Sequence, residues 1–123
     1  MNKDWKEFIE QRKKEYKKIG QIKCLAFGDE LVYFNKDGFN HLLRKHGKLR
    51  PRDQQLRRLN LLPHAPTILR DISKFTSYSE GFIEGIQGKF WTICGTINGL
   101  KIKVVIRQLN NGRKQFFSIM DYA

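Results

Sequence analysis

Two Asn-Gly dipeptides, Asn98-Gly99 and Asn111-Gly112, constrain the last third of this chain more than any other feature. Each separates stretches in which apolar and polar residues alternate, a pattern typical of β-strands with one buried face. Asn-Gly favours a two-residue hairpin turn because both residues tolerate the positive φ angles that the turn requires. The sequence therefore predicts an antiparallel meander of three strands over residues 89–122.

A two-residue loop also fixes the register, since pairing continues outward from the residues that flank the turn. The predicted pairs are Ile97–Leu100, Ile93–Val104 and Trp91–Ile106 in the first hairpin, and Val104–Ile119, Val105–Ser118, Ile106–Phe117 and Arg107–Phe116 in the second.

Alternation then divides the side chains between two unlike faces. The first face is nearly all apolar, and we expect helices to cover it; it carries Trp91, Ile93, Ile97, Leu100, Ile102, Val104, Ile106, Phe117 and Ile119. The second face mixes cations, hydroxyls and rings; it carries Phe90, Thr92, Cys94, Thr96, Lys101, Lys103, Val105, Arg107, Lys114, Phe116, Ser118 and Met120.

The mixed face suits a single-stranded nucleic acid, because phosphates bind cations and bases stack on flat rings. A solvated outer face of an antiparallel sheet is also ordinarily polar, so this alternative stays open. The overall charge favours the first interpretation. Twenty-four Lys and Arg against 12 Asp and Glu give a net charge of +12 and a pI near 10.0, which predicts a polyanionic partner.

The length of 123 residues predicts one domain with its own core. No segment approaches the roughly 18 consecutive apolar residues of a spanning helix, and no signal-type apolar block follows Met1. We therefore expect a soluble, cytoplasmic protein that does not bind membranes.

The cysteines and histidines do not form a metal-binding pattern. Cys24 and Cys94 are far apart, make no Cys-x-x-Cys pair and are predicted to be structural thiols in a reducing compartment. His41, His46 and His64 lack a companion carboxylate cluster at ligand spacing. The sequence thus predicts neither a metal nor another cofactor.

Upstream of the meander the sequence predicts mostly helices, in an α+β fold. The predicted order is a helix over residues 3–19, one or two strands over 21–34, helices over 35–47, 52–60 and 66–69, and then the meander. In domain terms, residues 1–123 form one unit with an N-terminal helix (1–20), a helical region (35–70) and the meander (89–122). We expect N-terminal helices packed on one face of a C-terminal antiparallel sheet of three to four strands.

The segment 35–47 carries the residues best suited to catalysis. His41 and Lys45 are four apart and would share one side of the predicted helix, with His46 at its end. RNA cleavage without a metal needs a base for the 2′-hydroxyl proton, cations for the phosphorane-like charge and an acid for the leaving 5′-oxygen. Histidine suits the first and third of these tasks and Arg or Lys the second.

Each histidine also has a structural interpretation: His46 as a cation at a helix end, and His41 as a surface residue. The candidate catalytic residues are His46, His41, Arg107, Ser118 and Lys114. The candidate nucleic-acid-binding residues are Arg44, Lys45, Lys48, Arg50, Lys101, Lys103, Phe116 and Thr92, with Thr92 as an alternative to Ser118 for a phosphate-binding hydroxyl.

The run FNKDGFNHLLRKH over 34–46, the arginine-rich helix leading to Leu62-Pro63 and the final strand FSIMDY over 117–122 together resemble a known superfamily. They are similar to the barnase, EndoU, colicin and RelE-like nucleases, especially the phage-barnase-like branch, over about residues 30–122. The resemblance implies N-terminal helices packed on a four-stranded antiparallel sheet and metal-independent RNA cleavage on the exposed sheet face. Many members act as toxins.

By that resemblance, His46 or His41 would be the acid-base group, Arg107 would hold the phosphate and Ser118 would be the last-strand hydroxyl. The last strand has no histidine, so Lys114 or Lys45 would replace the second histidine of a pancreatic-type mechanism.

Three functions stay open. The first is a metal-independent endoribonuclease that cleaves RNA by 2′-hydroxyl attack, as a toxin of a toxin-antitoxin or mobile-element system. The second is a non-catalytic nucleic-acid-binding module of the same or a similar fold. The third is an interaction domain for an acidic partner such as an antitoxin or inhibitor protein.

Overall fold

The computed structural model describes residues 3–83 and 85–122. Over these residues the helices are α1 (Lys3–Ile19), α2 (Lys36–Leu43), α3 (Arg52–Leu61) and α4 (Ala65–Asp71). The strands are β1 (Gln21–Cys24), β2 (Glu30–Tyr33), β3 (Arg44–Lys45), β4 (Lys48–Leu49), β5 (Ser77–Ile83), β6 (Ile86–Ile97), β7 (Leu100–Leu109) and β8 (Lys114–Asp121). None of the described helices is long and apolar enough to cross a membrane.

Six of these strands form one sheet in the order β1-β2-β8-β7-β6-β5. The α+β class is confirmed, but the sheet is larger than the predicted three to four strands. It is also mixed, because β2 runs parallel to β8 through the pairs Val32–Lys114 and Tyr33–Gln115. Residues 77–83, which lie in no predicted helix or strand, form the edge strand β5 on β6.

The first predicted hairpin is confirmed in its register. Strands β6 and β7 pair from Ile97–Leu100 outward, and Trp91 lies opposite Ile106. Asn98 and Gly99 have φ angles of 52° and 78°, the positive values that a two-residue turn requires.

The predicted register of the second hairpin is correct only on the side of the β-bulge away from the turn. Val105 pairs with Ser118 as predicted, but the register then shifts at a β-bulge, so that Ile106 pairs with Phe116 and Arg107 with Gln115. Phe117 is the extra residue, and the predicted pairs Ile106–Phe117 and Arg107–Phe116 are wrong. The bulge also exchanges the faces of the residues between it and the turn.

Helices α1 and α4 cover the apolar face. Tyr16 of α1 packs against the rings of Phe34 and Phe116, and Ile68 and Ile72 lie against Gly95 of β6. The prediction of N-terminal helices on a C-terminal sheet is correct only in part, because β1 and β2 lie between α1 and α2 in the chain and join the sheet, and α4 contacts both β1 and β6. Helices α2 and α3 contact β8 as well.

Helix α2 ends at Leu43 and is shorter than the predicted helix over 35–47. It begins after Asn35, whose side chain accepts a hydrogen bond from Gly38 N. Strands β3 and β4 follow as a small hairpin. Its two turn residues, His46 and Gly47, have φ angles of 53° and 78°, and such a turn forms a hairpin rather than continuing a helix.

Candidate nucleic-acid interface

The sheet face opposite α1 and α4 is open to solvent along β6 and β7. Its side chains are partly or fully exposed: Phe90, Thr92, Cys94 and Thr96 on β6, and Lys101, Lys103, Val105 and Arg107 on β7. The predicted mixed face is therefore present on these two strands. Helix α2 contacts β8 at the side of this face. A histidine and three arginines lie near one another there.

His41 of α2 lies over the open face through its contact with Phe117. The two rings stack with centroids 4.0 Å apart and planes inclined by 24°. Phe117 also contacts the Phe90 ring in a T-shaped arrangement at a centroid distance of 5.7 Å, and the Arg107 Cζ lies 4.7 Å from the Phe117 centroid. The β-bulge thus places the Phe117 ring in contact with both His41 and Arg107.

Arg50 holds His41 from the other side. Its Nε donates to the His41 carbonyl oxygen at 3.1 Å, and its Nη2 is 3.3 Å from His41 Nε2. Arg50 is only 7% exposed, and Gln55 of α3 donates to its carbonyl oxygen at 2.6 Å. Gln55 therefore holds the backbone of Arg50, and the two contacts with His41 orient its guanidinium.

Arg58 of α3 reaches β8 beside this pair. Its Nη1 donates to Ser118 Oγ at 2.7 Å and to the Ile119 carbonyl oxygen at 3.4 Å. Ser118 is 1% exposed, so its hydroxyl is covered and already bound. The prediction that Ser118 contacts phosphate is not supported by this placement; the hydroxyl positions Arg58 instead.

Arg107 projects from β7 onto the open face. Its Nη2 donates to Gln115 Oε1 at 3.1 Å and lies 3.7 Å from a carboxylate oxygen of Asp37. The Arg107 side chain is 12% exposed, against 69% for Asp37. Its Nε is buried and has no hydrogen-bond partner among the described residues.

The surroundings keep His41 neutral at pH 7. Burial lowers its pKa most, and the charges of Arg50, Arg58, Arg107 and Lys45 lower it further, to about 4. Because Arg50 donates towards Nε2, the proton of the neutral ring lies on Nδ1. The imidazole is therefore an uncharged proton acceptor with several cationic side chains near it.

Carboxylates balance these cations only in part. Burial lowers the pKa of Arg58 to about 10, which still leaves it charged at pH 7. Asp37, which is largely exposed, lies 3.7 Å from Arg107, and Asp121, 4.0 Å from Arg57, also acts on the charge of Arg58. Three guanidinium groups against two carboxylates leave an excess of positive charge beside the neutral imidazole.

Several predicted residues come together here and others do not. His41, Arg50, Arg107 and Ser118 belong to the cluster, and the charge of Lys45 reaches it. Thr92, Lys101 and Lys103 lie farther along the same face. The remaining predicted residues of the small hairpin, Arg44, His46 and Lys48, are exposed on β3, its turn and β4.

Lys114 and Phe116 face the covered side of the sheet, contrary to prediction, because the bulge reverses their orientation. The Lys114 Nζ pairs with Glu30 at 2.9 Å and lies 5.2 Å from the Trp91 ring centroid. Phe116 is 1% exposed and stacks on Phe34, with centroids 4.8 Å apart. Neither side chain is available to a ligand on the open face.

Arg58, Phe117, Gln55 and Asp37 were not predicted as site residues. Arg57 and Arg58 are adjacent in α3, and adjacent helical residues point about 100° apart and rarely share one environment. This difference in direction is a sequence signal by which Arg58 could have been identified as a candidate site residue. No sequence signal indicated the position of Phe117, because the pattern of alternating residues does not show where a β-bulge will form.

No protein-family model, curated protein or solved structure matches this chain. Within residues 3–83 and 85–122, His, Cys, Asp and Glu side chains form no group of three or more that could hold a metal ion.

Proposed function

We propose that this protein is a metal-independent endoribonuclease whose acid-base residue is His41. One observation carries the proposal: a neutral imidazole, stacked on Phe117, is enclosed by Arg50, Arg58 and Arg107 at the side of an open sheet face. This combination supplies both a proton acceptor and cations for a phosphodiester.

In the proposed reaction His41 removes the proton of the 2′-hydroxyl, whose oxygen attacks the adjacent phosphorus. Arg107 and Arg50 bind the phosphate oxygens and stabilise the charge that develops on them. The bond from phosphorus to the 5′-oxygen then breaks, leaving a 2′,3′-cyclic phosphate and a 5′-hydroxyl. With Lys114 facing away, Lys45 is the candidate for donating a proton to the leaving oxygen.

Substrate binding adjusts the base. In the free protein the pKa of His41 is too low for an efficient base at neutral pH. A bound phosphodiester adds negative charge among the arginines and raises the pKa of His41 towards the working pH. Transfer of Arg50 Nη2 from the imidazole to the phosphate also frees the Nε2 lone pair.

The test is incubation of the purified protein with end-labelled single-stranded RNA in EDTA. We expect products that end in a 2′,3′-cyclic phosphate. His41→Ala should abolish cleavage and keep RNA binding within a few-fold, whereas His46→Ala, in the exposed turn, should cleave like the unmodified protein. Arg107→Ala should reduce the rate by about 10²–10³, the range for loss of one charge-stabilising donor.

The alternative proposal is a non-catalytic nucleic-acid-binding module of similar fold. The contact of Arg50 with His41 Nε2 at 3.3 Å favours it, because that contact occupies the lone pair a base requires. A binding module would cut no RNA under any condition, and its affinity would still fall with salt. Absence of cleavage with salt-sensitive binding would therefore select this alternative.

The biological role that we propose, a toxin restrained by an acidic antitoxin or inhibitor, rests on the net charge of +12 and on the resemblance to the barnase, EndoU, colicin and RelE-like nucleases. Induced synthesis should arrest growth of the host cell, and the His41→Ala variant should not. Growth arrest that persists in the variant would contradict a toxin acting through RNA cleavage.

A further inference from the structure

The Phe90 ring leans along the open face over Gly88. A Cβ built on Gly88 would lie 2.9 Å from Phe90 Cε2 and 3.2 Å from Phe90 Cζ. The outer edge of the ring thus occupies the space that any other residue at position 88 would fill with its side chain. Gly88 is buried while Phe90 is partly exposed, so the ring covers the strand and keeps a surface accessible from solvent.

Phe90 lies between two different polar partners in the sheet. Arg107 is opposite it on β7, and Ser79 is opposite it on β5. Since neighbouring strands are about 4.8 Å apart, the backbones of Arg107 and Ser79 flank that of Phe90 on its two sides. The plane of the Phe117 ring is inclined by 66° to that of Phe90, and Phe117 contacts both Phe90 and His41.

We infer that Phe90 is the stacking surface for the base of the nucleotide whose phosphate binds at Arg107 and His41. This inference rests on the proposed function, because it uses the same phosphate site. A base is flat, and stacking on an aromatic side chain contributes substantially to binding of single strands. Ser79 lies on the side of the ring away from the phosphate site, where its hydroxyl can meet the polar edge of the base.

The inference defines the substrate class. A base within a duplex is stacked on both faces and cannot lie on Phe90, so the nucleotide at this position must be unpaired. The substrate is then a single strand, a loop or a bulge rather than continuous double-stranded RNA.

The test compares two DNA probes of equal charge that the proposed reaction cannot cleave because they lack 2′-hydroxyls. One is a fluorescent deoxythymidine 12-mer, and the other is a 12-mer of abasic sugar phosphates. Binding is measured by fluorescence anisotropy. Phe90→Leu should weaken binding of the thymidine probe about tenfold, within the range expected for one stacked base, and leave the abasic probe unchanged.

Three further variants make the result specific. Phe90→Trp keeps an aromatic surface and should keep the preference for the thymidine probe. Gly88→Ala displaces the ring and should reduce that preference. Phe82→Leu is the matched control, since Phe82 is a 76% exposed aromatic residue of β5 that alternation places on the other side of the sheet, and it should change neither affinity.

The possible failures are distinguishable. Equal weakening of both probes by Phe90→Leu, or no weakening of either, would overturn the stacking role while nucleic-acid binding by the unmodified protein stands. If the unmodified protein binds neither probe and cleaves no RNA, the proposed function fails with it.

Discussion

Arg50 and His41 are joined twice, by a hydrogen bond from Arg50 Nε to the His41 carbonyl oxygen at 3.1 Å and by Nη2 at 3.3 Å from the imidazole Nε2. Burial and the neighbouring cations lower the pKa of His41 from 6.5 to about 4. Between these values the unfolded chain binds a proton that the folded protein does not. Folding stability is therefore predicted to fall as the pH decreases from about 6.5 to about 4.

Urea unfolding at intervals from pH 7 to pH 4 measures this loss. One pKa unit corresponds to about 1.4 kcal/mol, so with partial solvent screening the contribution of His41 is of order 2 kcal/mol. His41→Gln cannot titrate in this window and should show a correspondingly flatter curve, which separates His41 from the carboxylates. Identical slopes for the two proteins would mean that His41 titrates normally.

Phe116 and Phe117 provide a matched pair of substitutions. Phe116→Leu alters a ring that is 1% exposed in the core and should lower the free energy of unfolding by about 1–3 kcal/mol, with cleavage per folded molecule preserved. Phe117→Leu removes the ring that His41 stacks on; it should change stability less and reduce the cleavage rate at least tenfold. Chemical unfolding and initial rates on RNA measure the two effects. The reverse pattern would show that the bulge is absent in solution.

The sequence predicted the parts of the fold that local chemistry determines. Asn98-Gly99 fixes its turn through two positive φ angles, and the register of β6 and β7 follows from that turn alone. The helices over 3–19 and 52–60 were likewise predicted close to their observed bounds, from apolar spacing with Gly20 and Pro51 as boundary residues.

The parts that failed depend on contacts between distant segments. The parallel pairing of β2 with β8 joins residues about 80 positions apart, and no local pattern encodes it. For the candidate site, the mixed face and His41 were predicted, but the bulge at Phe117 decided which of residues 114–117 belong to it. Arg58 entered the site only because α3 packs beside β8.

At Gly38, helix propensity and packing predict opposite effects of an alanine substitution on stability. Replacing glycine by alanine inside a helix normally stabilises it by about 1 kcal/mol. At Gly38, however, a Cβ would collide with the Phe116 carbonyl oxygen and lie 2.6 Å from the Tyr16 hydroxyl. Gly38→Ala is therefore predicted to destabilise the protein by about 2 kcal/mol or more, because the backbone of β8 must move.

The control is Gly81→Ala, at a strand position where a Cβ meets nothing within 4 Å and no positive φ is required. It should change the midpoint of thermal unfolding little or raise it. If Gly38→Ala also raised the midpoint, α2 would not pack on β8 as closely as described.

Lys101 and Lys103 should contribute charge to nucleic-acid binding without taking part in cleavage. Both lie on the open face of β7, beyond Val105 from Arg107. At about 3.4 Å per residue, their Cα atoms are about 20 and 14 Å from that of Arg107, too far to touch the same phosphate. If each contacts one phosphate of a single strand, the double variant Lys101→Gln/Lys103→Gln should lower the slope of log affinity against log salt by about 1.4. The rate at saturating RNA should not change.

The control is Lys13→Gln/Lys14→Gln on α1, on the covered side of the sheet. It removes the same charge and should leave the slope of log affinity against log salt nearly unaltered. Equal slopes for the two double variants would mean that only net charge attracts RNA and that no strand lies along β7.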